Sequence, residues 1–244
     1  MVKLSTKILI HGLSLVAGAG IASVTIVIVF LVINGINNES ELVLNSSPSD
    51  QELILSNTIK SILEAKNIPF LGDPNAPITL VEFGDYQCHF CNVHFHNTEH
   101  SLLENYISTG KVKMIFKDFT IIGPDSVNAA HGSHCAHDQA KFWEYHDILY
   151  NNWTGENNGW ASSDNLLRFA QEVDLDIEKW SDCMINAIHS KIITNSSKEA
   201  RDLGLTGTPT FFVIGPDNSI TKIFGAQPYQ SFEKIFDKEL EKLN

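Results

Sequence analysis

The sequence predicts an α/β domain that carries a helical insertion and is preceded by one N-terminal transmembrane helix. Three observations predict this. Short β-branched runs alternate with segments of helical period. A long block of helical period separates the second such run from the third. Near the start, no Asp, Glu, Lys or Arg occurs from Ile8 to Asn34.

The charge-free stretch contains "LSLVAGAGIASVTIVIVFLVI", Leu13 to Ile33. These are about 21 residues, which at about 1.5 Å each span a hydrocarbon core of roughly 30 Å. Lys3 and Lys7 precede it, and Glu39 and Glu41 follow it. The positive-inside rule therefore puts the N-terminus in the cytoplasm and the rest outside. A cleavable signal peptide shares the basic start, but this stretch is long for one and no clear A-x-A site ends it. The expected organisation is a cytoplasmic tail over 1–7, an anchor over 8–34, a linker and short helix over 35–66, and a folded domain over 67–244. Within the linker, Ser49 to Glu52 fits a capping box. Leu55, Ile59, Ile62 and Leu63 then share one side of a short helix.

Beyond the turn "GDPNAP", "ITLVEF" (78–83) reads as a strand that runs into Cys88, with a helix to about Ile107. "KVKMIFKDF" (111–119) alternates with period two and reads as the second strand. Cys135, Phe142 and Leu149 recur every seven residues, as on one helix. Leu166, Ala170 and Val173 mark a second helix, and Ile177, Trp180, Met184 and Ala187 a third. A fourth ends at Gly204, a good C-cap. "TFFVIG" (210–215) and "SITKIFG" (219–225) read as a hairpin. Phe232, Phe236, Leu240 and Leu243 share one face of a closing helix.

The chain has 244 residues, 43% of them hydrophobic, enough to bury a core. Its formal net charge of -12 argues against a nucleic-acid partner, since phosphate binding needs clustered Lys and Arg. The 4 cysteines, Cys88, Cys91, Cys135 and Cys183, allow three pairings, and the sequence alone does not choose among them.

Cys88 and Cys91 sit in "VEFGDYQCHFCNVHFHNTEH". A strand-to-helix junction places Cys88 at a helix N-cap, where free N–H groups and the helix dipole favour an anion. The thiolate is that anion and is the nucleophile. Cys91 lies one turn on, where its sulfur can close a disulfide with Cys88 or resolve a mixed disulfide formed there. Cys88 is expected to be the exposed, attacking sulfur and Cys91 the buried one. A protonated His89 adjacent to Cys88 would favour the thiolate further. The alternative is an idle, solvated His89. Zinc sites use the same C-x-x-C spacing, and His94, His96 and His100 offer further ligands, with His96 and His100 at i, i+4. Against zinc, no second ligand pair follows at finger spacing. In "GLTGTPTFFV", Thr208–Pro209 sits at a strand entry and is a candidate cis peptide.

The combination "VEFGDYQCHFC", "FKDF", "HCAHDQAKFWEYHDILY" and "GLTGTPTFFVIG", with the closing helix, resembles the DsbA-like branch of the thioredoxin superfamily. The likeness covers about residues 68 to 241. It implies a thioredoxin fold over 67–244 with a helical insertion at about 122–190. It implies that Cys88 and Cys91 are a catalytic pair, with Pro209 as a cis-proline facing them. Thr208 would offer backbone hydrogen bonds to a substrate chain. Glu82 would be a buried acid near the resolving cysteine that assists proton transfer, rather than a strand carboxylate turned to solvent. Family oxidases usually carry proline then histidine between the cysteines, where this chain has His89 and Phe90, so its oxidising strength is left open.

Cys135 and Cys183 fall on apparently buried faces of the insertion. They are expected to form a structural disulfide closing a loop of roughly 49 residues, for which the loop-entropy model gives roughly 4 kcal/mol. The expected function is a membrane-anchored, extracytoplasmic thiol–disulfide oxidoreductase acting as an oxidase. Its partners would be exported proteins and a membrane redox partner. No cofactor and no resident metal are expected. The competing reading is a metal-binding or metal-delivery module that uses the dithiol and the nearby histidines.

Overall fold

The computed structural model describes residues 48–65 and 68–243. The anchor expected at 8–34 lies outside them. Among the described residues no helix is long and apolar enough to cross a membrane.

Helix α1 spans Pro48–Glu64, followed by strands β1 (Phe70–Leu71) and β2 (Ile78–Gly84). Helix α2 starts in α geometry over His89–His94 and turns to π geometry over Phe95–Glu99. It returns to α over His100–Leu102 and ends in a second π segment, Leu103–Ile107. Strand β3 (Val112–Asp118) follows. Then come α3 (Pro124–His137), α4 (Phe142–Asn151), α5 (Ser163–Glu172), α6 (Ile177–Ile185) and α7 (Ser190–Asp202). Strands β4 (Thr210–Ile214) and β5 (Ile220–Phe224) and helix α8 (Tyr229–Glu241) complete the chain.

The sheet order is β1-β3-β2-β4-β5. β2 and β3 are parallel and all other pairs antiparallel. Every residue of the central strand β2 is buried, so its side chains serve cores on both faces. On one face Ile78, Leu80, Met114, Phe211 and Phe232 pack together. On the other, Val81, Phe83, Ile115 and Phe212 meet Ile59 and Ile62 of α1. Phe232 and Phe236 anchor α8 and are fully buried. Removing each such ring from water is worth about 1.5–3 kcal/mol. A buried ion pair, Lys117 Nζ to Glu199 Oε2 at 2.8 Å, joins β3 to α7.

Two expectations need correction, and one element is new. Cys135, Phe142 and Leu149 do not share a helix. The chain breaks between α3 and α4, with Ala140 at a positive φ of 58°, and the seven-residue spacing there is fortuitous. Leu243 lies beyond the end of α8 and is exposed, because the helix stops at Glu241. β1 is an additional edge strand. Its two residues leave no periodic signal, and it pairs with β3 at Phe70↔Ile115 and Leu71↔Met114.

The helices between β3 and β4 have their own core, in which Tyr145, Leu149, Leu166, Phe169 and Trp180 are buried together. Gly132 lets α3 approach α4. A Cβ there would stand 2.8 Å from the Tyr145 hydroxyl. Trp180 Nε1 donates to the Gly132 carbonyl at 3.0 Å, fastening α6 to α3. The same two helices are joined by a disulfide, Cys135–Cys183, across a sequence separation of 48. Replacing both cysteines by serine should lower the denaturant midpoint of the full chain by the equivalent of about 2–4 kcal/mol. A thiol count on unfolded, unreduced protein should find Cys135 and Cys183 unreactive. Four reactive thiols would refute the bridge.

Candidate active site

The turn that leads into Cys88 is held by a buried carboxylate. Asp85 accepts from the backbone N–H of Gln87 at 2.9 Å, of Ile121 at 2.8 Å and of Ile122 at 3.1 Å. The Asp85 carbonyl accepts the Cys88 N–H at 2.9 Å. These bonds tie the end of β2 to the segment after β3 and fix where α2 begins. Cys88 is its N-cap residue, with extended φ and ψ.

Cys88 and Cys91 are both free thiols. Cys91 is 1% exposed, and Cys88, expected to be exposed, is only 5% exposed. Two contacts explain the difference. The Cys88 sulfur turns back beneath the Thr208 carbonyl, to which its S–H donates at 3.3 Å. The loop after α4 also crosses in front of the turn: Trp153 Nε1 donates to the Gln87 carbonyl at 2.8 Å, and Glu156 Oε1 accepts the His89 N–H at 3.1 Å. The Thr208–Pro209 peptide is cis. Two aromatic side chains are exposed on the elements that carry the site, Phe90 at 59% on α2 and Phe224 at 57% on β5, whose ring lies against Gly207.

Hydrogen bonding lowers the Cys88 thiol to about 6. The largest contribution is the bond from the Cys91 thiol. Burial opposes it. Thr208 and the backbone N–H groups of Cys91 and Phe90 add to the lowering. The helix start therefore helps, but the partner sulfur leads. The strongest influences do not include His89, whose exposed ring rests against Phe90 and Trp153 at centroid distances of 5.3 and 5.6 Å. Cys91 is pushed well above the ordinary thiol value, first by burial and then by Cys88. The pair therefore consists of one sulfur that ionises easily and one that holds its proton.

Glu82, on β2, is 1% exposed, and its Oε2 has no hydrogen-bond partner. Burial, and next the negative Cys88 sulfur, hold its carboxyl well above the usual carboxylate range. Behind it, among the described residues, the ligand atoms of Glu82, His94 and Glu99 lie within 4.8 Å of one another. His94 is buried, whereas His96 and His100 are exposed, because the π segment breaks the α-helical spacing that would have aligned the histidines. None of the convergent ligand clusters among the described residues includes Cys88 or Cys91, so the metal reading of the dithiol finds no ligand set there. The roles of Glu99, Gln87 and Glu156 have no sequence signal, since each depends on a contact with a distant residue or on the π geometry.

Residues 64–238 match the family model described as Thioredoxin. The "Probable disulfide bond formation protein D" of Bacillus cereus is 31% identical over 180 residues, 70% of this chain and 78% of that protein. The "Disulfide bond formation protein D" of Bacillus subtilis is 26% identical over 179 residues, 72% of this chain and 78% of that protein. Among solved structures, Wolbachia pipientis alpha-DsbA1 superposes with a TM-score of 0.67 at 27% identity, over 77% of this chain and 100% of that one. Oxidised BdbD from Bacillus subtilis shares the fold with a TM-score of 0.65 at 24% identity, over 72% of this chain and 94% of that one.

The lowered Cys88 value sets a pH dependence. In the reduced protein, the stability that this thiol contributes is fully present above the ordinary value of 9.0 and is lost as pH falls through about 6. The disulfide form has no such group. The difference in melting temperature between reduced and oxidised protein should therefore shift against the reduced form as pH drops from 9 through about 6. Thiolate absorbance should titrate near 6 and move upward in Cys91→Ala. A titration near 9.0 in the parent would refute the hydrogen-bonded thiolate.

Proposed function

This chain belongs to the thioredoxin family and is a DsbA-like thiol–disulfide oxidoreductase, and from that premise we propose that it is a membrane-tethered oxidase of exported proteins, working through Cys88 and Cys91. One observation carries the reading: two free thiols sit at the start of α2, with Cys88 at the N-cap under the carbonyl of the cis Thr208–Pro209 peptide, and their surroundings push the two sulfurs in opposite directions. In the disulfide form, a client thiolate attacks Cys88. The Cys88–Cys91 bond breaks, a client–Cys88 disulfide forms, and Cys91 leaves as a thiolate. Cys91 holds a proton far more tightly than Cys88, so it is protonated at once and the bond does not simply reform. Glu82 is the nearby acid able to give that proton. A second client thiolate then attacks the client sulfur and expels Cys88, which leaves readily because its thiolate is stabilised. Two electrons remain on the dithiol and pass to a membrane redox partner that restores the disulfide.

Other features support the assignment. A reduced state stabilised at Cys88 makes the disulfide more oxidising, which favours an oxidase over a reductase. Phe90, two residues after Cys88, and Phe224, against Gly207 in the loop before Pro209, offer a client chain an apolar footing, and the Thr208 carbonyl stands over the sulfur. The apolar segment at 8–34 is the proposed anchor, with 1–7 in the cytoplasm and the catalytic domain over 67–244 outside. A tether there holds the domain near its membrane redox partner.

With the full chain in membranes, oxidation of a reduced, unfolded client should fall to the uncatalysed rate in Cys88→Ser. Cys91→Ser should accumulate a client–Cys88 mixed disulfide, visible as a reducible adduct on a gel. Protease added outside intact cells should cleave the domain from its anchor. Sustained turnover in Cys88→Ser would refute the assignment.

A further inference from the structure

Behind the dithiol lies a run of buried ionisable side chains, of which the reaction above uses only Glu82. Glu82, His94, Glu99 and His146 are all buried. The ligand atoms of Glu82, His94 and Glu99 lie within 4.8 Å of one another, and so do those of Glu99, His146 and Asp147. Glu99 belongs to both groups and joins them. His146 Nδ1 lies 3.3 Å from Asp147 Oδ1, and the Asp147 side chain is 57% exposed. The series therefore leads, in steps of no more than 4.8 Å between ligand atoms, from Glu82 to the exposed Asp147.

Two further observations mark it as more than packing. Glu82 Oε2, both ring nitrogens of His94 and His146 Nε2 have no hydrogen-bond partner, as do the hydroxyls of Tyr86 and Tyr150 beside them. Buried polar atoms without partners cost free energy and are few in folded proteins, so a cluster of them calls for a reason. The helix is also distorted at this point. In an α-helix, residues five apart point about 140° away from each other. The π segment Phe95–Glu99 has i→i+5 bonding, which brings Glu99 round to the side of His94.

We propose that Glu82, His94, Glu99, His146 and Asp147 form a relay that conducts the Cys91 proton between the dithiol and solvent. The proposal rests on the dithiol reading above. When Cys91 leaves as a thiolate, the Glu82 O–H breaks and the Cys91 S–H forms. Glu82 is reprotonated through His94 or Glu99, Glu99 through His146, and the last proton enters from water at Asp147. Re-oxidation runs the same steps in reverse, and no electrons travel along the series. Hops longer than a hydrogen bond close through one water molecule or a side-chain rotation. Burial holds the carboxyls of both Glu82 and Glu99 above the usual range, so both carry transferable protons near neutral pH.

The test follows reduction of the Cys88–Cys91 disulfide by dithiothreitol in the full chain, in H2O and in D2O. Glu99→Gln and the exposed Asp147→Asn should each slow the step by about tenfold or more and enlarge its solvent isotope effect. The Cys88 thiolate titration should stay unchanged, and Glu99→Asp should recover part of the rate. Asp147→Asn lies at the surface, so it tests the relay even if Glu99→Gln disturbs folding. Parent rates and isotope effects in both variants overturn the relay but leave the dithiol assignment standing, whereas turnover in Cys88→Ser removes both. Stoichiometric zinc in the parent that is lost in Glu99→Gln also overturns it, because the cluster would then be a metal site.

Discussion

The placement of two thiols one helical turn apart, Cys88 at the N-cap of α2 and Cys91 buried behind it, governs this site. Donation from the Cys91 thiol to Cys88 lowers one group and, with burial, raises the other. The rest of the site follows from keeping that asymmetry. The turn around Asp85 fixes the N-cap, and the Thr208 loop closes over the sulfur. Glu82 must be buried if it is to remain protonated next to a second ionisable group. Each of these groups would cost free energy elsewhere in the core. Together they form a site whose charge changes in a defined order.

Much of this was legible in the residues. The strands announce themselves by β-branched runs and alternation, and the dithiol lies where the first of them meets a helix, so the position of Cys88 follows from elementary capping rules. Glu82 was read by resemblance as a buried acid, and the fold buries it. Other features were not legible for physical reasons. Periodicity presumes a constant number of residues per turn, so it gives no sign that a π segment inside α2 brings Glu99 round to the side of His94. Seven-residue spacing cannot report a break such as that at Ala140. Exposure of Cys88 depends on loops distant in sequence, and no local pattern records that Trp153 and Glu156 come to lie over it.

The helical insertion therefore does more than widen the molecule. Its core reaches into the thioredoxin part, where it takes in Tyr86, Cys88, Cys91 and Phe116. It contributes His146 and Tyr150 to the interior behind Cys91, and the loop after α4 across the front of Cys88. Asn157 N–H donates to Gln87 Oε1 at 2.8 Å, so the insertion grips the very turn that presents the thiol. Shape changes within the insertion would be felt at the sulfur through these contacts.

The bond between Cys135 and Cys183 has a consequence for the molecule's own birth. Its closure requires that two electrons leave the newly made polypeptide, so each copy must first be a customer for the chemistry it later performs. Until then four thiols share one chain and any of them can pair wrongly. Once α3 and α6 dock, both half-cystines are buried and joined, and Cys88 and Cys91 are left as the free thiols. Maturation thus sorts the sulfurs into a pair that is joined once and a pair that stays free.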